Sequence, residues 1–249
     1  MRLNGMKMSD KMIISEDEYV IMKEWMRKYI DEKCIFRQGD NWEIDCREDK
    51  SFMAAKRNTN LLPPPLGKWY TWQFYLRRGC FDFTFNSLLS QMFIYQVERT
   101  IGHFNFQLSG LETAATPMLS AIPLVARNFG IELNSFLVKK EQKRYGIRNW
   151  IEGQIKAGVP VLIIDDLISR TSSIKQCNDL LTIPYDNIET MDYVFAIVNK
   201  YTKHAGTESY RSKDRFKGFG NTSTMYCDKI PGKKIMYLFD CDDFDLIKK

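Results

Sequence analysis

Histidine is nearly missing from this chain: His103 and His204 are the only two in 249 residues. That leaves little room for a histidine-based catalytic triad or a histidine-rich metal site. The six cysteines, Cys34, Cys46, Cys80, Cys177, Cys227 and Cys241, include no Cys-x-x-Cys pair. A chain of this length needs no disulfide framework, so they are expected to be reduced thiols in a cytoplasmic protein. No apolar run approaches the roughly 20 residues needed to span a bilayer, and the opening Met1-Arg-Leu-Asn-Gly-Met-Lys-Met-Ser-Asp10 is too polar for a secretory signal. The expectation is therefore a soluble protein with no membrane partner. A strong charge imbalance is absent too, because 36 Lys and Arg against 31 Asp and Glu leave a net +5 spread along the chain. Such a balance suits a phosphorylated small ligand as well as nucleic acid.

What is present is enough apolar material, 44% of residues, for a substantial core in one large domain or one domain with an appendage. Ser15-Glu-Asp-Glu18 has the form of a capping box, and Tyr19, Met22, Met26, Tyr29 and Ile30 follow at helical spacing to about Lys33. Trp42-Glu-Ile-Asp-Cys46 reads as a short strand. Leu61-Leu-Pro-Pro-Pro-Leu-Gly67 can continue neither a helix nor a central strand. It marks the boundary between an N-terminal helical extension, 1–67, and an α/β domain, 68–249.

After the boundary come an aromatic stretch over 69–85, read as a core strand or as stacking surfaces, and a helix with Leu88, Leu89, Met92, Phe93 and Val97 on one face, ending near Gly102. Strands are expected at 104–108 and 135–138, with a helix over 113–129 between them and a charged loop over 139–158 after them. Val159-Pro-Val-Leu-Ile-Ile164 reads as a strand buried on both faces. A helix over 172–181 and strands at 193–198 and 234–239 complete the pattern. Alternating strands and helices predict a parallel sheet flanked by helices, and ligands of such sheets bind at the carboxyl ends of the strands.

Chemistry concentrates at one of those ends. Asp165 and Asp166 follow the buried strand, and Ser169, Arg170, Thr171, Ser172 and Ser173 lead into the next helix. Backbone N–H groups at a helix N-terminus, helped by hydroxyls, cradle a phosphate, while neighbouring carboxylates accept hydrogen bonds from sugar hydroxyls. A sugar phosphate satisfies both halves; aspartates that merely cap the helix and serines that merely fill a turn are the plainer alternative.

The run of apolar strand, Asp165-Asp166, two apolar residues and Ser169 resembles the phosphoribosyl pyrophosphate motif of type I phosphoribosyltransferases, and within them the orotate phosphoribosyltransferase branch. Upstream, Lys139-Lys140-Glu141-Gln142-Lys143-Arg144-Tyr145-Gly146 is similar to that branch's loop Arg-Lys-Glu-x-Lys-x-His-Gly. Gly110-Leu-Glu112-Thr-Ala-Ala115-Thr-Pro117 resembles its pyrophosphate loop, and Ile151-Glu-Gly153 resembles the end of its mobile loop.

The resemblance implies that Asp165 and Asp166 hold the ribose hydroxyls, that Ser169 to Ser173 hold the 5′-phosphate, and that Gly110, Lys139 and Lys140 face pyrophosphate. Lys143 matches the family's catalytic lysine. It also implies Mg2+ carried mainly by phosphoribosyl pyrophosphate, with no dedicated metal cluster in the protein, a nucleobase such as orotate as acceptor, and a homodimer.

The sequence departs from the family where Arg170 and Thr171 replace small residues. A β-branched residue resists positive φ, so a different loop conformation is expected at Thr171. Lys139 and Tyr145 replace the family's Arg and His, and Ala115 a Gly. The resemblance places the base-binding hood in the N-terminal part, where Trp69-Tyr-Thr-Trp72-Gln-Phe-Tyr75-Leu-Arg77-Arg78 offers stacking surfaces and a cation for an acidic base, with an aromatic core strand as the alternative. The alternative to an enzyme is a non-catalytic member: a sensor, effector or subunit of a larger assembly that binds a phosphoribosyl compound or nucleotide. Nucleic-acid binding through Tyr210-Arg-Ser-Lys-Asp-Arg-Phe-Lys-Gly-Phe-Gly220 is disfavoured by the small net charge.

Overall fold

The computed structural model describes residues 13–37, 72–141, 149–169, 171–183, 188–200, 223–226, 232–244 and 246, with the backbone alone for 36, 37, 72, 73 and 223–226. The candidate residues Lys143 and Arg170, the boundary at 67, the strand expected at 42–46 and the basic stretch at 210–220 lie outside them.

Helix α1 (Glu16–Tyr29) begins at the expected capping box: Glu18 N–H donates to Ser15 Oγ at 3.3 Å, and Ser15 N–H donates to the Glu18 carboxylate at 2.9 Å. A π-helical turn (Ile30–Cys34) leads into β1 (Ile35–Arg37), which pairs antiparallel with β2 (Trp72–Phe74) in a small sheet of its own. Among the described residues of the aromatic stretch read as a core strand or as stacking surfaces, β2 is the only strand. The short helix α2 (Arg77–Cys80) follows, and Asp82 starts α3 (Phe83–Thr100) by accepting the Phe85 N–H at 2.9 Å. The Asp82 side-chain cap and the burial of one helix face, with Phe85, Leu89, Met92, Phe93 and Val97, outweigh the strand preference of the aromatics.

The main sheet contains β3 (Gln107–Leu111), β4 (Ser135–Val138), β5 (Ile151–Gly153), β6 (Val161–Ile168), β7 (Thr190–Asn199), β8 (Ser223–Tyr226) and β9 (Lys234–Asp240), in the order β5-β4-β3-β6-β7-β9-β8. Its centre, from β4 to β9, is parallel as expected, and the edge strands β5 and β8 are antiparallel. The strand expected at 104–108 is displaced. Its ladder starts at Gln107, whose side-chain amide donates to the Lys156 and Val159 carbonyls and accepts from Asn134 and from the Lys156 N–H. The charged loop expected over 139–158 contains β5, and β6 runs on through both aspartates.

Helix α4 (Thr116–Arg127) joins β3 to β4, and α5 (Ser172–Thr182) joins β6 to β7. One face of the sheet, with Leu162, Ile164, Phe195 and Met236, packs against α1, α3 and α4. On the other, Val161, Ile163, Val194 and Ala196 pack under Ile174, Cys177 and Leu181 of α5. The N-terminal helix thus shares the sheet's core, with Tyr19 stacked on Tyr95 of α3 at 4.1 Å between ring centres. The chain leaves β3 toward one edge and β6 toward the other, so strand order reverses between these neighbours. That reversal opens a crevice at their carboxyl ends, where ligands of such sheets bind. Among the described residues, no helix is long and apolar enough to cross a membrane.

Candidate functional site

Asp165 and Asp166 lie on the β6 side of this crevice. Asp165 is buried, and burial, reinforced by the charge of Asp166, pushes its carboxyl well above the usual carboxylate range. The backbone N–H of Asp166 donates to Asp165 Oδ1 at 3.0 Å. Burial raises Asp166 as well, opposed by the guanidinium of Arg77 on α2. Two carboxyls taken out of water side by side favour a shared proton or a cationic or hydroxyl-bearing ligand over two bare charges.

Just beyond β6, Ser169 is partly exposed and Thr171 stands at the N-cap of α5 in the left-handed region, φ 53°. The expectation that a β-branched residue would avoid positive φ is therefore overturned. The Thr171 carbonyl accepts the Lys175 N–H at 2.9 Å, the first bond of α5, and the residue is 3% exposed. Its buried Oγ1 has no hydrogen-bond partner among the described residues. Such a group costs about 1–3 kcal/mol unless a ligand or water supplies the partner. Ser172 is exposed and Ser173 partly buried in the same first turn. The helix start, free N–H groups and an unpartnered hydroxyl form one anion-seeking cradle.

Across the crevice, Gly110, next to last in β3, has no room for a side chain: an added Cβ would overlap the Ile164 carbonyl oxygen and Ala115 Cβ. Glycine here serves the close approach of β3, β6 and the following loop. The Glu112–Thr113 peptide in that loop is cis, and the Glu112 carboxylate accepts the Lys140 N–H at 3.0 Å. Lys140 is exposed, and its charge reaches Asp165, where it opposes the upward shift. Lys139 is placed differently. Its buried Nζ donates to Asn149 Oδ1 at 2.7 Å and pairs with Glu152 at 2.9 Å, tying β4 to β5. Gly110, Lys140, Asp165, Asp166, Ser169 and the start of α5 thus gather at the carboxyl ends of β3, β4 and β6, while the Lys139 ammonium is engaged within the hairpin.

Sequence reasoning passed over three residues at this edge. Lys200 follows β7, its N–H donates to the Ile168 carbonyl at 2.7 Å, and burial lowers its ammonium pKa. The signal was available, since Asn199-Lys200 follows an apolar strand just as Asp165-Asp166 does. Cys177, its thiol pushed up by burial and by Asp165, and Ser109 of β3 lie beneath the carboxyl pair. Only the fold brings them there.

No family model matches the chain. Among curated proteins it is similar to orotate phosphoribosyltransferases from Rhodopirellula baltica (27% identity over 107 residues, 43% of this chain and 52% of that protein) and Aquifex aeolicus (30% over 95 residues, 36% and 48%). The chain spans about half the length of the curated relatives it matches. Among solved structures, a phosphoribosyltransferase from Corynebacterium diphtheriae superposes with TM-score 0.58 at 17% identity, covering 90% of this chain and 98% of that one. A Mycobacterium tuberculosis orotate phosphoribosyltransferase in complex with inorganic phosphate superposes with TM-score 0.54 at 15%, covering 89% and 90%. The same enzyme in complex with 5-phospho-alpha-D-ribosyl 1-diphosphate gives 0.51 at 14%, covering 92% and 93%. The chain therefore has the type I phosphoribosyltransferase fold, and its sequence is similar to those of orotate phosphoribosyltransferases.

Proposed function

We propose that the crevice binds 5-phosphoribosyl pyrophosphate and transfers its phosphoribosyl group to a nucleobase nitrogen, releasing pyrophosphate. The observation that carries this is the carboxyl pair of buried Asp165 and half-buried Asp166 set directly before the cradle at α5, where Thr171 turns left-handed with its hydroxyl unpartnered among the described residues. The 5′-phosphate would take the α5 N-terminus with Ser169, Thr171, Ser172 and Ser173. The ribose hydroxyls would donate to the Asp165 and Asp166 carboxylates. Lys140 would face pyrophosphate, with Gly110 shaping that wall and Lys143 assigned there by resemblance, while Arg170, which departs from the family pattern, would meet the 5′-phosphate directly. Named relatives, one of them solved with phosphoribosyl pyrophosphate, support the reading.

For the acceptor, Arg77 lies over the half-exposed Tyr75 ring at 5.5 Å and its charge reaches Asp166. An aromatic face beside a guanidinium suits a planar acidic base such as orotate. Magnesium fits as an ion carried by the substrate. The carboxyl pair at the ribose position is one whose ionised form any bound cation would favour. When bound, it would neutralise the pyrophosphate leaving group.

The engagement of Lys139 by Asn149 and Glu152 favours a second reading, in which the fold binds the same ligand without turning it over, as a sensor or subunit. Calorimetric titration of phosphoribosyl pyrophosphate, with and without magnesium, tests the site against an Asp165→Asn/Asp166→Asn variant. Magnesium-dependent binding lost in the variant is expected, and no binding to the intact chain would overturn the proposal. Pyrophosphate release with a panel of bases then separates enzyme from sensor.

A further inference from the structure

Beneath the carboxyl pair, Ile163, Val194 and Ala196 of the sheet meet Ile174 and Leu181 of α5 in an apolar layer. Two side chains break its character, Ser109 of β3 and Cys177 of α5. Alternation along the strands turns Ser109 and Asp165 to this same side. Leu111 and Ile163, two residues from each, belong to the layer, whereas Leu108 and Ile164, their immediate neighbours, pack on the opposite face. Ser109 is wholly buried, and its hydroxyl has no hydrogen-bond partner among the described residues. An orphaned hydroxyl of this kind costs stability that alanine at the same position would avoid.

Cys177 is 1% exposed and lies within range of both groups. Burial and the charge of Asp165 keep its thiol protonated, and the Ser109 hydroxyl opposes them. A protonated thiol is both a weak donor and a weak acceptor. It can therefore accept from the Ser109 hydroxyl while donating to a carboxylate. Asp165 needs such a donor in one state only. Its Oδ1 accepts the Asp166 N–H at 3.0 Å. Of the charged groups around it, Asp166 disfavours its ionised form and Lys140 favours it, while Arg77 acts on Asp166. As long as the Asp165 carboxyl keeps its proton, Ser109 stands idle. Once that proton leaves to solvent and the carboxylate accepts ribose hydroxyls, a buried charge calls for donors from beneath. An idle hydroxyl in the free protein is then accounted for by its use in the bound one.

We propose that Ser109 and Cys177 are positioning residues that seat Asp165 in its ligand-bound form: the Ser109 hydroxyl donates to the Cys177 sulfur, and the Cys177 thiol donates to the Asp165 carboxylate. This role rests on the proposed contact between Asp165 and the ribose hydroxyls.

The test joins two measurements on the full chain. One is carbon NMR of the Asp165 carboxyl against pH without ligand, its signal assigned through Asp165→Asn. The other is calorimetric titration of phosphoribosyl pyrophosphate with magnesium at neutral pH. Cys177→Ala should move the Asp165 midpoint upward, because a donor to the carboxylate is lost, and weaken binding by about two- to tenfold. Ser109→Ala should act in the same direction to a smaller extent, yet melt no lower than the parent, since it removes the orphan. In a Cys177→Ala background it should change neither reading further, because it acts through the sulfur. Cys177→Ser keeps a donor of similar size and should restore both readings. A purely structural role would instead lower melting temperature and affinity together and leave the midpoint in place. An unmoved midpoint in Cys177→Ala, or effects of Ser109→Ala that add to those of Cys177→Ala, would overturn the proposal whether or not the chain binds the ligand. Should Cys177→Ala unfold, Ser109→Ala carries the same test, and an unmoved midpoint is again decisive against it. A shifted midpoint in a chain that binds no phosphoribosyl pyrophosphate would put the failure in the ribose reading, and the positioning role would fall with it.

Discussion

At φ 53° Thr171 pays for a conformation that costs an L-residue about 1–2 kcal/mol, and it buries a hydroxyl with no partner among the described residues. Both costs fall on the residue that begins the proposed phosphate cradle. Thr171→Gly should therefore raise the melting temperature by about 2–4 °C, a net gain of about 1 kcal/mol after the entropy of the added glycine. The same change removes a hydroxyl donor to a dianion, so affinity for phosphoribosyl pyrophosphate should fall by about tenfold or more. Thermal melts and calorimetry on one variant read both, and a parallel loss of stability and affinity would mean that the hydroxyl is structural.

Asp165 makes the complementary case through pH. Its folded pKa is raised, so its contribution to stability is fully present below the ordinary carboxylate value of about 3.9 and is lost as pH rises through the folded value. Asp165→Asn keeps the shape without the ionisation, and should melt higher than the parent at neutral pH by a margin that shrinks toward pH 4. A margin independent of pH would show that ionisation of Asp165 is not what costs stability. The sequence made the aspartates legible as a site, because two carboxylates after a continuous apolar strand stand out. It could not show the left-handed Thr171, since that conformation is imposed by the turn into α5 and runs against the residue's own preference.

Among the elements, β5 is not legible as a strand: its residues resemble a loop end and fall inside a charged loop. Ile151-Glu-Gly153 is three residues long, too short for a period, and it is paired along β4 and tied by Lys139, just past the end of β4, to Glu152 and Asn149. The same contact separates two roles for Lys139. Lys139→Met keeps the aliphatic stem and removes the ammonium. If Lys139 serves the hairpin, the change should cost about 1–3 kcal/mol and speed hydrogen exchange at residues 151–153, while affinity for phosphoribosyl pyrophosphate moves little. A large loss of affinity with unchanged exchange would put the ammonium on the ligand instead. β6 shows the opposite relation, in that its run of Val161-Leu-Ile-Ile164 announced a central strand, and only its continuation through Asp165 and Asp166 had to come from pairing with β7.

For the whole molecule, the α/β class was legible because a parallel sheet buried on both faces writes itself as apolar runs separated by helical periods. The place of α1 was not, since an amphipathic stripe says that a face is buried without saying against what. In the fold, Tyr19, Met26, Ile30 and Cys34 are wholly buried in the core shared with Phe85, Phe93 and Tyr95 of α3. At about 1.5–3 kcal/mol for each large apolar side chain, these residues and Met22 contribute on the order of 10 kcal/mol. That is comparable to the entire net stability of a typical domain, about 5–15 kcal/mol. A variant beginning at Trp72 keeps all seven strands of the main sheet and every described residue of the crevice, so sequence inspection alone would count it a complete catalytic unit. Core sharing argues otherwise: the truncated chain should bind a hydrophobic dye, lose its sharp thermal transition and fail to bind phosphoribosyl pyrophosphate. Cooperative unfolding of that variant with retained binding would instead make the N-terminal segment an appendage to a domain that folds without it.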